Sequence, residues 1–394
     1  MIVIVILENQ WEIAKKIFLN GNNAILIDRI DYEQNKEYLP NVFTIINDDS
    51  EKQLLIRTLN ENEDNYDNIF ILCFNNLNKD FLDFAEKIYI LDPNKSLSLD
   101  NYANKTIRFG DSSINEYTKI SEEREYLNLV KQIIEKGNLK DNRTGIKTKS
   151  LFGCSLRFKI DKHFPLFTTK KMFWRGIVEE LMWFLSGSTD VKKLQEKNVH
   201  IWDKNSTKEF LKGKNLEEGD LGPTYGFNFR HYGAEYKTCK DDYTNKGFDQ
   251  IKYVIDSIKK YPDSRRLIID LWNPLTMDKC AIPPCLFIYQ FYVNENKLSC
   301  CTYQRSADMG LGVPFNIASA SLLTYIIAKE TNLEPYELIY NIGDAHVYVN
   351  HIEELEKQIK RSVRKFPEVK IKSERDIELQ NYFPHLPIKL EMVV

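Results

Sequence analysis

The sequence predicts an α+β domain with a mixed sheet and packed helices, preceded by a small α/β domain. In residues 1–110, short apolar runs alternate with helix-like stretches such as 51–61, which is an α/β pattern. The polar segment 111–119 carries turn residues and is expected to be a linker. In residues 120–394, amphipathic helices are mixed with aromatic strands, two of them in a hairpin, which favours α+β. The apolar runs of the first part read IVIVIL, NAILI, VFTII, IFILCF and KIYIL.

Hydrophobic periodicity predicts helices and strands within the larger domain. The strand RLIIDLW comes before AIPPCLFIYQFYV, which pairs through the turn NENK with LSCCTYQRS. The predicted helices cover residues 121–136, 172–186, 247–260, 316–331 and 350–361.

Composition limits the classes of function. The chain has 394 residues, of which 43% are hydrophobic, enough for a sizeable core. A net charge of −3 predicts no nucleic-acid or membrane partner, although a local basic cluster can bind a small anion. Seven irregularly spaced cysteines without a C-x-x-C pair, and an N-terminal MIVIVIL without basic residues, predict a cytoplasmic protein with reduced thiols and no secretory leader. His346 and His351 lack clustered partners at ligand spacing, so we expect no metal site.

Cys285 stands at the start of the strand LFIYQFYV. A lone cysteine on a buried strand is usually an inert part of the core. The paired strand ends in YQRS, however, and can bring Arg305 to the same edge of the sheet. Because a nearby cation favours the thiolate, Cys285 is a candidate nucleophile.

Four arginines occupy turn-like or strand-end positions. Taken singly, each is most simply a solvated surface charge. Together, and with Ser306 beside one of them, they suit a phosphate dianion that takes bidentate guanidinium contacts. These arginines are Arg143, Arg265, Arg266 and Arg305.

Glu180 interrupts an apolar helix face. In the second predicted helix, Phe173, Ile177, Glu180 and Phe184 share one face, whereas Glu179 lies off it. A carboxylate buried there either has a raised pKa and holds a proton or is hydrogen-bonded to a functional group. A core salt bridge is the structural alternative.

Three further polar residues have both a structural and a functional interpretation. Asn316 follows GLGVPF, where glycines permit close backbone approach, and is either a helix N-cap or a ligand contact. His346 and Tyr348 alternate on one strand face, where they either belong to the core or hydrogen-bond a sugar.

Residues 120–394 resemble the thymidylate synthases over nearly their whole length. The resemblance rests on many motifs in the same order, and it is their combination that is specific. They read DNRTG, FPLFTTKK, EELMWFLSGSTD, IWD, GDLGPTYGFNFRHYGAEY, DSRR, PPCLFIYQF, YQRSADMGLGVPFNIAS, GDAHVYVNH and YFPHLPIK.

The resemblance implies the thymidylate synthase fold and the reductive methylation of dUMP to dTMP, with 5,10-methylenetetrahydrofolate consumed as co-substrate. Cys285 would add to carbon 6 of the uracil and so activate carbon 5 as a nucleophile. Glu180 and Tyr225 would assist the proton transfers. The resemblance also implies a homodimer, in which Arg265 and Arg266 reach the partner's site, and a C-terminal KLEMVV that closes over the site.

The same resemblance implies two sets of binding residues. Lys170 in the second set would lie near the glutamate tail of the folate. The dUMP set is Arg143, Arg265, Arg266, Gln304, Arg305, Ser306, Asn316, His346 and Tyr348; the folate set is Lys170, Ile201, Trp202, Asp308 and Gly312.

Two features depart from the family pattern. Leu286 follows the nucleophile where the family usually has a histidine. The order of the two domains resembles the bifunctional dihydrofolate reductase-thymidylate synthases, but Cys73 and Phe74 occupy the place of the reductase's Gly-Gly pair, and the LPW loop is not found. We therefore expect a degenerate reductase-like or other α/β domain without catalysis, and no use of NADPH.

Three rival functions remain open. A deoxypyrimidine hydroxymethylase has the same fold, but Asn316, whose amide both donates and accepts, suits uracil, whereas an acid there would suit cytosine. A silent binding protein is expected to lack the nucleophile or the phosphate arginines. A cysteine hydrolase needs a histidine base, and none can be assigned to Cys285.

Overall fold

The structure, a computed structural model, describes residues 2–7, 23–28, 44–46, 68–74, 87–90, 102–109, 112–119, 121–373 and 376–393. The five predicted apolar runs each contain a strand, and these strands pair in parallel in the order β3-β2-β4-β1-β5. This confirms the predicted strands, while the predicted helix 51–61 lies outside the described residues. The strands are β1 (Ile2–Leu7), β2 (Asn23–Asp28), β3 (Thr44–Ile46), β4 (Asn68–Phe74) and β5 (Lys87–Ile90).

The prediction of a linker over residues 111–119 is wrong in its local structure. Strand β7 (Ser112–Lys119) lies between β5 and β6 (Tyr102–Phe109), and it is antiparallel to both. Its polar residues resemble a turn in sequence, but they form a ladder because both neighbouring strands supply backbone partners. The first sheet therefore extends to Lys119.

The second sheet carries the candidate site. Its order is β10-β11-β12-β13-β9-β8. Strands β11 and β12 form the predicted antiparallel hairpin, and β12 pairs in parallel with β13, so the sheet is mixed as expected. The strands are β8 (Asn138–Lys140), β9 (Thr148–Lys159), β10 (Ile268–Asp270), β11 (Leu286–Asn294), β12 (Lys297–Asp308) and β13 (Glu334–Tyr348); β14 (Glu368–Ser373) and β15 (Asp376–Gln380) form a separate hairpin.

The five helices predicted within residues 120–394 are present, with shifts of a few residues at their ends. The largest shift is at the helix predicted to begin at Asn316, which begins at Gly312 instead. Pro314 is tolerated there because the N–H of a first-turn residue has no partner within the helix. The helices are α1 (Glu122–Lys136), α2 (Trp174–Leu185), α3 (Lys192–Gln195), α4 (Tyr225–Arg230), α5 (Gln250–Lys260), α6 (Gly312–Glu330) and α7 (Ile352–Lys360). In the described part of the chain, no helix has both the length and the apolar character that a membrane span requires.

The two faces of the second sheet differ in burial. On β11, Tyr289 and Phe291 are buried in the core under α2 and α6. On the opposite face, Tyr292 is 64% exposed, and Tyr303 of the paired strand is 38% exposed. The alternation along each strand therefore leaves one aromatic face of this sheet uncovered in the single chain.

A buried carboxylate at the start of α1 fixes the loop that leads into α2. Glu123 is fully buried and accepts hydrogen bonds from the backbone N–H and the hydroxyl of both Thr168 and Thr169, at 2.7–2.9 Å. Burial raises the pKa of Glu123, and these four donors oppose that rise. The arrangement satisfies the carboxylate without a cation and holds the backbone next to Lys170 in place.

Candidate active site

Cys285 lies directly before β11, at the edge of the sheet that its strand shares with β12. Its carbonyl accepts from the backbone N–H of Arg305 at 2.9 Å, and its thiol is half-buried. The side chain of Arg305 turns back over the same loop, so that Nη2 lies 3.7 Å from Cys285 Sγ. The predicted juxtaposition of thiol and guanidinium is therefore present in the structure.

The Arg305 guanidinium is held rigidly at this position. Its Nε donates to Pro284 O and its Nη2 to Pro283 O, both at 2.9 Å. The group also lies over the ring of Trp272, 5.2 Å from the ring centroid. Because these contacts engage Nε and Nη2, the guanidinium keeps Nη1 for an anion bound at the sheet edge.

The electrostatics of the thiol are a balance between burial and nearby donors. Burial raises the pKa of the Cys285 thiol, whereas Arg305, the Tyr225 hydroxyl and Arg143 lower it. The net pKa of the Cys285 thiol is raised, so burial outweighs the lowering by the two arginines and Tyr225.

Removing the Arg305 charge is expected to slow alkylation of Cys285. In Arg305→Gln the pKa of the thiol rises further, so the thiolate fraction at pH 7 falls by about tenfold for one unit of pKa. The measurement is the rate of iodoacetamide labelling at Cys285 by mass spectrometry, with Arg157→Gln, on the exposed part of β9, as the matched control. An equal labelling rate in Arg305→Gln and in the control would contradict this electrostatic role.

Glu180 lies on α2 beside a group of aromatic rings. Its Oε1 accepts from Trp202 Nε1 at 2.8 Å. Burial raises the pKa of Glu180 to about 7, and the Trp202 hydrogen bond opposes the rise. Both a raised pKa and a hydrogen bond therefore agree with the structure, and the core salt bridge is not formed among the described residues. The neighbouring Glu179 instead pairs with Lys197 at 2.6 Å.

One member of the predicted apolar face of α2 is not buried. Phe173 lies at the N-cap of the helix and is 41% exposed, whereas Ile177 and Phe184 are buried as expected. The helix begins one residue later than the face requires, so the Phe173 side chain is not directed into the core.

Tyr225 contacts both the aromatic rings beside Glu180 and the candidate nucleophile Cys285. Its hydroxyl oxygen accepts from the backbone N–H of Cys285 at 2.6 Å, and its ring stacks on Phe184 at 4.9 Å. Burial raises the pKa of Tyr225 well above its ordinary value, so the hydroxyl stays protonated. Its proton is available to a neighbouring acceptor because the oxygen is already fixed by Cys285.

The side-chain amides of buried Gln304 and half-buried Asn316 form a pair near the end of β12. Asn316 Nδ2 donates to Gln304 Oε1 at 3.1 Å, and Tyr340 Oη donates to the same oxygen. Gln304 Nε2 donates to Ser306 O at 2.7 Å. Asn316 lies in the second turn of α6, so its interpretation as an N-cap is wrong, because the helix begins four residues earlier at Gly312.

His346 and Tyr348 share one face near the end of β13, as predicted. Their rings are 5.5 Å apart and nearly perpendicular. His346 Nδ1 lies 3.2 Å from Asp344 Oδ1, and this contact lowers the pKa of the Asp344 carboxyl. The contact orients the imidazole and leaves Nε2 for a ligand hydroxyl.

The other arginines are exposed. Arg143 follows β8 and is close enough to lower the pKa of Cys285. Arg265 and Arg266 follow α5, and among the described residues their side chains form no hydrogen bond or ion pair. The structure of the single chain thus places Arg305 beside Cys285 and Arg143 within electrostatic reach of the same thiol, and among the described residues no contact joins Arg265 or Arg266 to them.

The predicted folate residues lie in two groups, one around Trp202 and the other around the turn between β12 and α6. Trp202 packs against Phe184 and Tyr225, with ring centroids 6.3 and 6.0 Å apart, and Ile201 is half-buried beside it. Asp308 ends β12, and Gly312 begins α6, where a Cβ atom would meet nothing closer than 3.8 Å. Lys170 is 5% exposed and donates to Gly310 O.

The C-terminal segment is docked beside the Asp308 turn. His351 Nε2 donates to Glu391 O at 2.7 Å, and Lys204 Nζ donates to Met392 O at 3.1 Å. These contacts place the end of the chain beside Gly310, whose Cβ position would lie 3.0 Å from Leu390 Cδ1.

Leu286 belongs to the core rather than to the cleft. It is 3% exposed and begins β11, opposite Gln304 in the ladder. An apolar side chain is well accommodated at this position, because Leu286 packs within the hydrophobic core.

Sequence reasoning missed three contact residues. Trp272 lies over Arg305, Tyr340 binds Gln304, and Asp344 orients His346. Only Asp344 carried a sequence signal, because it lies two residues before His346 on the same strand face. In the part of the chain that the structure describes, no group of three or more His, Cys, Asp or Glu side chains is arranged to hold a metal ion.

Comparison with known proteins supports the resemblance to the thymidylate synthases. The family model described as thymidylate synthase matches residues 124–394. The bifunctional dihydrofolate reductase-thymidylate synthase of Zea mays is 55% identical over 285 residues, which cover 69% of this chain and 55% of the relative. The thymidylate synthase of Human herpesvirus 8 type P is 50% identical over 285 residues, which cover 69% of this chain and 85% of the relative.

A protozoan relative agrees with these two. The bifunctional dihydrofolate reductase-thymidylate synthase of Leishmania amazonensis is 50% identical over 288 residues, which cover 69% of this chain and 55% of the relative. This chain spans about half the length of the bifunctional relatives it matches. The match over residues 124–394 contains every strand and helix around Cys285. The chain therefore belongs to the thymidylate synthase family.

Proposed function

We propose that this chain methylates dUMP to dTMP, with 5,10-methylenetetrahydrofolate as consumed co-substrate and dihydrofolate as second product. The observation that carries the proposal is the environment of Cys285. Its half-buried thiol lies 3.7 Å from the Arg305 guanidinium, and its backbone N–H donates to the Tyr225 hydroxyl. The family match supports the reaction class.

In this proposal the described side chains perform the steps on the nucleotide. Cys285 adds as thiolate to carbon 6 of the uracil, which makes carbon 5 nucleophilic. Tyr225 and Glu180 carry protons to and from the ring, since Glu180 has a pKa of about 7 and exchanges protons readily at neutral pH. Elimination of Cys285 from carbon 6 then releases the product. The folate co-substrate supplies the one-carbon unit and the hydride.

Binding of dUMP is assigned to side chains at the edge of the second sheet. Arg305, Ser306 and Arg143 hold the phosphate, because a guanidinium fork suits a phosphate dianion. The amide of Asn316 reads the uracil edge and is oriented by Gln304. His346 and Tyr348 bind the deoxyribose hydroxyl. Asp308, Gly312, Ile201 and Trp202 line the folate side.

The direct test compares two nucleotides. Purified protein is supplied with the folate and either tritiated deoxyuridylate or deoxycytidylate, and tritium release and dihydrofolate formation are followed together. Methylation of deoxyuridylate, with both signals in equal amounts, supports the proposal. Tritium release without dihydrofolate indicates a hydroxymethylase, and no reaction with either nucleotide refutes the proposed function.

We propose that the active form is a homodimer that joins through the uncovered sheet face. Tyr292, Tyr303 and Ile268 share this face and are exposed in the single chain, although large exposed aromatic patches are uncommon on monomers. In such a dimer each subunit supplies Arg265 and Arg266 to its partner's phosphate site, which agrees with their exposure and their lack of intrachain ion pairs among the described residues.

Mixing two inactive variants is expected to restore activity. Cys285→Ser and the double variant Arg265→Ala, Arg266→Ala are each inactive, but a mixed dimer has one site with both the thiol and the arginines intact. About a quarter of wild-type activity is expected after subunit exchange at equal concentrations. Mixing Cys285→Ser with Arg305→Gln is the control and should restore nothing, since both residues belong to one site. No recovery in the first mixture would contradict the shared site.

For the first 110 residues we propose a non-catalytic role. Cys73 and Phe74, which occupy the place of the reductase's Gly-Gly pair, continue the β4 ladder opposite Ile6 and Leu7 of β1. We propose that the domain retains an α/β sheet without reductase activity. NADPH-dependent reduction of dihydrofolate by the purified chain would refute this absence of reductase activity.

We also propose that the protein is located in the cytoplasm.

A further inference from the structure

One buried side chain holds the C-terminal segment, residues 387–393, against the protein. His351 is 1% exposed, and its Nε2 donates to Glu391 O at 2.7 Å. The other hydrogen bond that joins this segment to the described part of the chain comes from the exposed Lys204, whose Nζ donates to Met392 O at 3.1 Å. Because a solvated ammonium gains little from one carbonyl, the buried imidazole is the stronger attachment.

The surroundings of His351 leave its ring with a single polar task. The ring packs edge-on against Tyr348, with centroids 5.5 Å apart and an interplanar angle of 68°. In the part of the chain that the structure describes, Nδ1 is buried without a hydrogen-bond partner. The nitrogen that faces a carbonyl must carry the proton, so the contact with Glu391 requires the Nε2–H tautomer. Replacing Nδ1 by carbon would therefore cost no hydrogen bond.

The attached segment lies between the two groups of predicted folate residues. At the turn between β12 and α6, Leu390 Cδ1 lies 3.0 Å from the position that a Cβ atom would take on Gly310. At the other group, Lys204, which contacts Met392 O, comes two residues after Trp202. The segment therefore spans from one group to the other, next to the space assigned to the folate.

Resting on the proposed function, we propose that His351 is a positioning residue that anchors the C-terminal segment beside the folate co-substrate. Without the imidazole donor, Glu391 O loses its buried partner, and the segment is detached for a larger fraction of the time. His351 acts on the folate through the segment, because its one donor is already engaged with Glu391.

Two substitutions distinguish an anchor from a residue that only fills space. His351→Phe keeps an aromatic ring of similar size and removes the donor, whereas His351→Gln keeps an N–H donor and removes the ring. Anchoring predicts that the KM for 5,10-methylenetetrahydrofolate rises about tenfold in His351→Phe and returns to within about threefold of wild type in His351→Gln. The KM for dUMP should change by less than about twofold in His351→Phe. Space filling predicts the opposite order of the two variants, and that order would overturn the proposal.

Trypsin cleavage measures the attachment without any substrate. Lys389 is exposed and lies two residues before Glu391, so cleavage after Lys389 tracks the fraction of molecules with a detached segment. The rate, followed by mass spectrometry, should rise about tenfold in His351→Phe and stay within about threefold of wild type in His351→Gln. Lys204→Met is the matched control and should change the rate by less than about twofold, because its contact is solvated. A rise in Lys204→Met equal to that in His351→Phe would overturn the role of His351.

The tautomer of His351 is a test that uses only the wild-type protein. In protein labelled with ¹⁵N-histidine, the signals of the neutral His351 ring should show the proton on Nε2 and none on Nδ1. A proton on Nδ1 alone would overturn the anchor even if both variants fail to fold, because Nε2 could then not donate to Glu391 O. Neither this measurement nor trypsin cleavage involves turnover, so both distinguish a failure of the anchor from a failure of the proposed function.

Discussion

Cys285→Ser is expected to abolish dTMP formation, with a decrease of at least about 10⁴-fold in kcat. A serine hydroxyl ionises far less readily than a thiol, so the Arg305 guanidinium at 3.7 Å cannot supply a comparable nucleophile. The substitution changes one half-buried atom, and the backbone bonds of residue 285 to Tyr225 and Arg305 do not involve the side chain. The fold is therefore expected to persist. Tritium release from labelled deoxyuridylate measures the loss.

A second cysteine gives the control for this experiment. Cys154 is a half-buried free thiol on β9, and burial raises its pKa without any opposing cation. Cys154→Ser should retain most of the activity and have a thermal unfolding midpoint similar to that of Cys285→Ser. Activity that survives in Cys285→Ser, or that is lost equally in Cys154→Ser, would contradict the assignment of the nucleophile.

Glu180→Gln is expected to lower kcat by about 10²–10³-fold, which is typical for the loss of a proton-transferring group. The carboxyl titrates with a pKa of about 7 because it is buried, and the Trp202 indole N–H at 2.8 Å partly offsets this. The amide cannot exchange a proton, so the pH dependence of kcat should lose the ionisation near pH 7. Trp202→Phe should keep that ionisation and move it to higher pH, because the carboxylate loses its donor.

The same residue makes a prediction about stability. Below pH 4.5 the carboxyl is neutral in both the folded and the unfolded chain. Between pH 4.5 and about 7 the unfolded chain ionises first, so the folded state is progressively destabilised relative to it. Above about pH 7 the carboxyl is ionised in both states, and the destabilisation is then complete and amounts to roughly 3 kcal/mol.

Glu180→Gln removes this dependence. The stability of the variant relative to wild type, measured as the free energy of unfolding in urea, should increase from pH 5 to pH 8. A difference that is equal at the two pH values would show that Glu180 is not buried in its charged form. The proposed proton-transfer role of Glu180 is therefore accompanied by lower stability at neutral pH.

Much of the fold followed from local patterns. The apolar runs that contain β1 to β5, the turn NENK and the helix periodicity each involve residues that are near one another in sequence, so period and turn chemistry predict them well. The segment 112–119 was misread because its polar residues satisfy both a turn and an inner strand. The choice between a turn and a strand depends on pairing with β5 and β6, and local composition does not reveal that pairing.

The sequence by itself determined the family and the position of the Glu180 carboxylate on an apolar helix face, and it predicted Cys285 as the nucleophile. Only the tertiary structure decided that Trp202 donates to Glu180, that Trp272 and two proline carbonyls hold Arg305, and that Lys170 is buried against Gly310. The physical reason is that a motif specifies residue types along one segment, whereas hydrogen-bond partners and burial arise where segments far apart in sequence pack together. The environment that sets each pKa is therefore a property of the folded chain.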